Sequence, residues 1–173
     1  MLTQQEGEKN GRNSYLGGSL EKLRGMEVKD EIRELMHRYN FSIDDEPNLE
    51  AAMELFHDDA LVVFDPPGTT ARGKAEVNEL YRQTLSPAGL SNCSHYAANA
   101  IITVSGDGTR GISYFHETCE ISGKAAVAAG SYEDLFTKGG DRWKIKQRKI
   151  KLTFMVQLEE PALSREPRIL ELR

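Results

Sequence analysis

Residues 36–45, "MHRYNFSIDD", put a tyrosine, a histidine and two aspartates at the end of what reads as an amphipathic helix. Aspartates there face the negative end of the helix macrodipole, at a cost of roughly 0.3–1 kcal/mol each. Local stability gives them no reason to stand at that position. Asp44 has two readings: a solvated turn residue, or a carboxylate that turns back over the rim of a pocket to orient an imidazole. Asp45 reads as a turn residue preparing the next helix. Five residues turn an ideal helix by about 500°, which leaves Asp44 about 140° from Tyr39. The two share a pocket only if the helix ends near Ile43. Tyr39 is either a core tyrosine with its hydroxyl bonded or a donor to a leaving or carbonyl oxygen.

The chain has four histidines. His37 falls on the polar side of the first helix, and His57 stands beside "DD", so both read as surface residues. His95 opens a long strand, "SHYAANAIITV", whose alternate residues line one face. An imidazole, with its ordinary pKa near 6.5, suits a general base at neutral pH. His116 lies mid-strand in "SYFHETCE" and shares a face with Ile112, Tyr114 and Thr118. The opposite face carries Ser113, Phe115 and Glu117, and the spacing leaves open which of the two lines a cavity. On the first alternative, His116 and Tyr114 contact substrate, with Phe64 and Tyr81 as further candidates. The run "KQRKIKLTFM" reads as a solvated basic face that includes Arg148, Lys149 and Lys151.

Composition narrows the chemistry. The chain has 173 residues and a formal charge of -5, with 22 Lys and Arg against 27 Asp and Glu. That implies one domain and no nucleic-acid footprint. No apolar run reaches about 18 residues, so no membrane span is expected. The start lacks the apolar core of a secretory signal, and a cytoplasmic protein is expected. Cys93 and Cys119 carry no metal spacing or disulfide framework and read as small buried thiols. No His pair has metal-ligand spacing, and "SGDG" is a hairpin turn rather than a phosphate loop. The expectation is therefore no metal and no cofactor.

The elements that must position these residues follow from periodicity. Ile32, Leu35, Met36, Tyr39 and Ile43 form a helical stripe beginning near Val28. "DEPNLEAAMELF" opens a second helix with Asn48 as N-cap and Phe56 facing inward. "HDDALVVFDPPG" reads as a turn, a short strand and a Pro-Gly turn. "GKAEVNELYRQTL" is a third helix with Val77, Leu80 and Tyr81 inside. After residue 90 come four long strand candidates joined by short turns, an antiparallel meander. Each exceeds the usual 5–6 residues, so bulges are expected. The class is α+β, with helices on one face of a curved sheet. Residues 1–19 read as a loosely ordered extension, 20–160 as the domain and 161–173 as a tail.

The phrases "IRELMHRYNFSIDD", "AAMELFHDDALVVF", "RGKAEV", "SHYAANAIITV" and "GSYEDLFTKGGDRWKIKQRKIKL" resemble, in this order, the SnoaL-like branch of the nuclear transport factor 2-like (cystatin-like) superfamily. Within that branch they are most similar to the hexachlorocyclohexane dehydrochlorinase and bile-acid 7α-dehydratase group. The resemblance implies a cone of three N-terminal helices on a strongly curved antiparallel sheet. It also implies a His–Asp pair and maps Tyr39, Asp44 and His95 onto catalytic roles. A carboxylate bonded to one ring nitrogen would fix the tautomer and stabilise the imidazolium that forms. The bile-acid dehydratase's substrate-contacting arginine has no clean counterpart in "KQRKIKLTFM".

The implied activity is that of a cofactor-independent lyase or isomerase, of dehydratase, dehydrohalogenase or cyclase type. Its substrate would be a small hydrophobic molecule, and its assembly a homodimer or homotrimer. The alternative is a non-catalytic binding or assembly module, such as a dioxygenase β-subunit-like partner.

Overall fold

The computed structural model describes residues 4–86, 89–106 and 108–158, with side chains from residue 17 onward. The expected tail at 161–173 lies outside the described residues. Helix α1 runs Gln4–Ile43 and starts well before Val28. The stripe Ile32, Leu35, Met36, Tyr39 and Ile43 is buried along it, while residues 17–24 are exposed. Its end is built by two devices. The amide of Asp44 still reaches the carbonyl of Asn40 at 3.1 Å, and Asp45 then takes a left-handed φ of 46°. Such a residue ends a helix and redirects the chain.

Helix α2, Leu49–Glu54, is capped by Asn48, whose side chain accepts from the amide of Ala51. It stops before Phe56, which belongs to strand β1, Phe56–Asp65. Strand β2, Thr69–Arg72, pairs back on β1 and had no signal in the alternation of the sequence. Helix α3, Gly73–Thr84, buries Val77 and Tyr81 against β1. Strands β3 (Leu90–Ser105), β4 (Gly108–Ile121), β5 (Lys124–Gly139) and β6 (Arg142–Gln157) form the meander.

The six strands lie in the order β2-β1-β6-β5-β4-β3. The sheet is curved and unclosed, and it is mixed rather than antiparallel throughout, because β1 runs parallel to β6. Two helices precede the first strand and the third follows β2, so the expected order of helix, helix, short strand and helix is present with a second short strand added before α3. Residues of α1, α3 and the inner sheet face form one apolar core. Among the described residues, no helix is long and apolar enough to cross a membrane.

Bulges supply the curvature, since each extra residue bends its strand. The register of β3 on β4 shifts between Ser91 and Ser94 and again between Ala98 and Ile101. Asn92 and Asn99 sit in those intervals with left-handed φ values of 50° and 55°. Asparagine tolerates that region better than most residues. The β5–β6 register shifts between Ala129 and Gly130. A Cβ at Gly130 would stand 2.1 Å from the carbonyl oxygen of Lys151 and 2.6 Å from Phe115 Cε1. Gly130→Ala should therefore destabilise the fold by about 3 kcal/mol in urea denaturation, through overpacking against backbone. A near-neutral result would mean that the bend is not held by this close approach.

Candidate functional site

The turn after α1 and the first bulge of β3 are tied to each other. The amide of Asp45 donates to the carbonyl of Cys93 at 2.9 Å. The amide of His95 donates to the carboxylate of Asp44, with both oxygens at 3.0 Å. The same carboxylate lies 2.6 Å from Nδ1 of His95. One carboxylate thus holds both the strand and the ring. These bonds offset the cost of negative charge at the helix C-terminus and explain why Asp44 stands there.

With Nδ1–H donated to Asp44, the lone pair of the neutral ring is on Nε2. Nε2 lies 3.5 Å from Oε2 of Glu117. The three side chains are withdrawn from water, at 17% exposure for Asp44, 7% for His95 and 5% for Glu117. Two carboxylates therefore flank one imidazole.

A second polar cluster faces this one across the core. The hydroxyls of Tyr39 and Tyr81 are 2.6 Å apart. One donates to the other, which leaves the second O–H free to donate elsewhere. Arg148 stacks over the Tyr39 ring at 3.9 Å and the Tyr132 ring at 4.4 Å. Its guanidinium donates from Nε and one terminal nitrogen to Asp134, at 2.8 and 2.7 Å.

Burial raises the pKa of the Tyr39 phenol, and the neighbouring Arg148 charge partly opposes that rise. Burial likewise pushes Tyr81 and Tyr132 well above the ordinary phenol value. All three stay neutral at physiological pH and act as donors rather than phenolates. Arg148 belongs to this buried cluster and not to a solvated basic face. Strand alternation puts it on the inner side, while Lys149 and Lys151 turn outward to Asp65 and Glu133.

Between the clusters lies a cavity of about 410 Å³. Tyr39, Tyr81, His95 and Glu117 are among its polar lining residues, with Gln83, Thr84 and Tyr132, and Phe64, Phe115, Ile150, Leu152 and Met155 form much of its apolar wall. Of the residues expected from the sequence, His95, Tyr39, Tyr81 and Phe64 line it, and Asp44 stands behind His95. Tyr114 and His116 do not line it. They project from the outer face, with Tyr114 63% exposed. The register of β4 sends Ser113, Phe115 and Glu117 inward. Glu117 belonged to the alternative parity. Tyr132 and Arg148 were missed, and their signal is that their strands bury alternate residues on both sides of a charged partner. Cys93 and Cys119, 26 residues apart in sequence, meet beside Glu117.

The family described as SnoaL-like domain matches residues 24–149. No curated protein matches the chain. Among solved structures, a hexachlorocyclohexane dehydrochlorinase, LinA type 2, is 16% identical with a TM-score of 0.74, covering 86% of this chain and 99% of its own. LinA type 3 from Novosphingobium barchaimii LL02 is 18% identical with a TM-score of 0.71, covering 80% and 94%. A protein of unknown function with a cystatin-like fold, from Nostoc punctiforme PCC 73102, is 24% identical with a TM-score of 0.57, covering 80% and 95%. At these identities the likeness is one of fold.

Two measurements check the aromatic cluster. Arg148→Met alone should cost about 3–5 kcal/mol, because Asp134 is left buried and unpaired. Adding Asp134→Leu should recover most of that loss in urea denaturation. Alkaline titration gives the second check. Phenols whose folded pKa is raised contribute stability that is present below the unfolded value near 10 and lost as pH rises through it. Tyr39, Tyr81 and Tyr132 should ionise only together with unfolding. Free titration of all the tyrosines near pH 10 in the folded protein would contradict the burial.

Proposed function

We infer the function from the family and the site together: the chain belongs to the SnoaL-like family, and its cavity suits cofactor-independent proton transfer on a small hydrophobic molecule. The reading is a lyase or isomerase in which His95 is the general base. The observation that carries it is the 2.6 Å contact between Asp44 and His95 Nδ1, which leaves Nε2 on the cavity wall.

His95 Nε2 takes a proton from carbon next to an activating group or opposite a leaving group. The electron pair of that C–H bond becomes the new double bond, and the leaving group departs with its own electron pair. The free O–H of the Tyr39–Tyr81 pair donates to the departing or carbonyl oxygen. Arg148, over the Tyr39 ring, stabilises charge that develops there. Asp44 and Glu117 stabilise the imidazolium until its proton passes to solvent or product. The apolar wall excludes water and strengthens each of these interactions.

The match in fold to a protein described as a hexachlorocyclohexane dehydrochlorinase supports elimination as the first chemistry to test. Hydrophobic polycyclic or terpenoid-like molecules bearing a β-leaving group or an isomerisable alkene are the substrates to screen. Assembly as a homodimer or homotrimer is part of the same proposal. Its support is the apolar outer face of β3 and β4, where Tyr96, Ile101 and Tyr114 are exposed.

His95→Ala should lower kcat by about 10²–10⁴-fold. Asp44→Asn should lose activity with the fold intact, because the amide no longer holds the productive tautomer. Tyr39→Phe should lower kcat more than it raises KM. Activity should survive a chelator. Retention of activity in both His95→Ala and Asp44→Asn would overturn the mechanism and favour a binding module.

A further inference from the structure

The wall between the cavity and the outer surface holds two cysteines that the proton-transfer reading does not use, beside the Glu117 carboxylate that it does. Among the described residues, Cys93, Glu117 and Cys119 form a group whose ligand atoms lie within 4.8 Å of one another, and all three are buried. Neither cysteine forms a disulfide. Cys93 sits in the first β3 bulge and Cys119 on the adjoining strand, with Ala126, Leu85, Leu90 and Ile121 packed around them. Oε2 of Glu117 faces His95, while its other oxygen, Oε1, is buried with no hydrogen-bond partner. A buried carboxylate oxygen with at most a weak thiol donor is costly, and the Glu117 carboxylate lies within 4.8 Å of both sulfurs.

We propose that Cys93, Cys119 and Glu117 Oε1 form a binding site for one thiophilic divalent cation of the Zn²⁺ class, with an open fourth position. The donor set suits such an ion, since two thiolates select soft or borderline metals and a carboxylate oxygen completes three protein ligands. Bonds near 2.3 Å to sulfur require an S–metal–S edge of about 3.8 Å in a tetrahedron, and the ligand atoms of this cluster lie within 4.8 Å of one another.

The charge logic agrees. The Cys93 thiol is pushed far up, first by its hydrogen bond with Cys119, then by burial and by the negative Glu117. A cation reverses each of these influences. Binding deprotonates both thiols and releases two protons to solvent while the carboxylate is neutralised. An approach path exists as well. Cys93 lines an outer cavity of about 280 Å³ whose rim carries Asp45 and Glu46, and these attract a cation. Glu117 lines the inner cavity, so the ion would sit in the wall shared by the two.

The test is cobalt and zinc titration of the full-length, chelator-stripped chain under a thiol-free reductant. Co²⁺ should bind at one equivalent per chain with a thiolate-to-cobalt charge-transfer band in the near ultraviolet, and Zn²⁺ should displace it. At about 100 times Kd, Zn²⁺ should raise Tm by about 5 °C or more. Cys93→Ser and Cys119→Ser should each weaken binding by about 100-fold, and Glu117→Gln by about 10-fold. Circular dichroism melts identify any variant that fails to fold, and the wild-type spectrum decides independently of them. No equivalent of bound metal in the reduced wild type would overturn the site. So would metal bound without the sulfur band, or binding undiminished in a folded Cys93→Ser/Cys119→Ser double variant. Each readout is separate from activity, so failure of the metal site leaves the proton-transfer reading standing, and the reverse.

Discussion

The Asp44 carboxylate is the constraint on which the site depends. It accepts from the backbone amide of His95 and from its ring, so one anion sets strand position and ring orientation together. The bulge of β3 is what makes this possible. One extra residue between Ser91 and Ser94 shifts the register of β3 just before His95. The left-handed Asp45 completes the junction by donating to Cys93 two residues before the histidine. Helix end, bulge and imidazole are therefore one structural unit. Its cost at the helix C-terminus is offset by two charge-assisted bonds, each of about 1.5–3 kcal/mol.

The far side of the cavity obeys a different constraint. Arg148 is fully buried, and a guanidinium is not released from its charge in a protein. It must be paired, and Asp134 pairs it through two parallel bonds. Tyr39 and Tyr132 then cover its faces. The outcome is a rigid positive charge beneath neutral phenols, opposite the flanked imidazole. The cavity therefore has phenol donors on one wall and an imidazole on the other, separated by apolar side chains. That arrangement supports the proposed elimination or proton shift, in which one end of the substrate gains negative charge as the other loses a proton.

Much of this was legible in the sequence where the pattern has one dominant cause. The stripe ending at Ile43 and the alternation of the long strands each reflect burial of one face. Asp44 broke a local rule, which flagged it without deciding between a solvated turn residue and an imidazole's partner; the resemblance to the SnoaL-like branch is what pointed to the second. The parity of β4 was not legible. Its two faces, Tyr114 with His116 and Phe115 with Glu117, have similar composition, and a one-residue change of register exchanges them. Arg148 was hidden for a related reason: in "KQRKIKL" a buried cation looks like its solvated neighbours until its partner strand is known. The parallel pairing of β1 with β6 was also invisible, since it joins segments distant in sequence, and β2, Thr69–Arg72, is too short to show an alternation.

Glu117 is where the two halves of the argument meet. Its Oε2 lies 3.5 Å from Nε2 of His95, and the carboxylate also stands within 4.8 Å of a pair of thiols that are at most weak donors to it. A carboxylate needed only to support an imidazole would be served by a single contact, and the burial of the second oxygen would be an uncompensated loss. A carboxylate needed only as a ligand would have no reason to stand 3.5 Å from the ring. Holding both places the charge of Glu117 under the control of whatever occupies the thiol side. The same inward register of β4 that removed His116 and Tyr114 from the cavity thus supplies a residue coupling its basic wall to the outer surface.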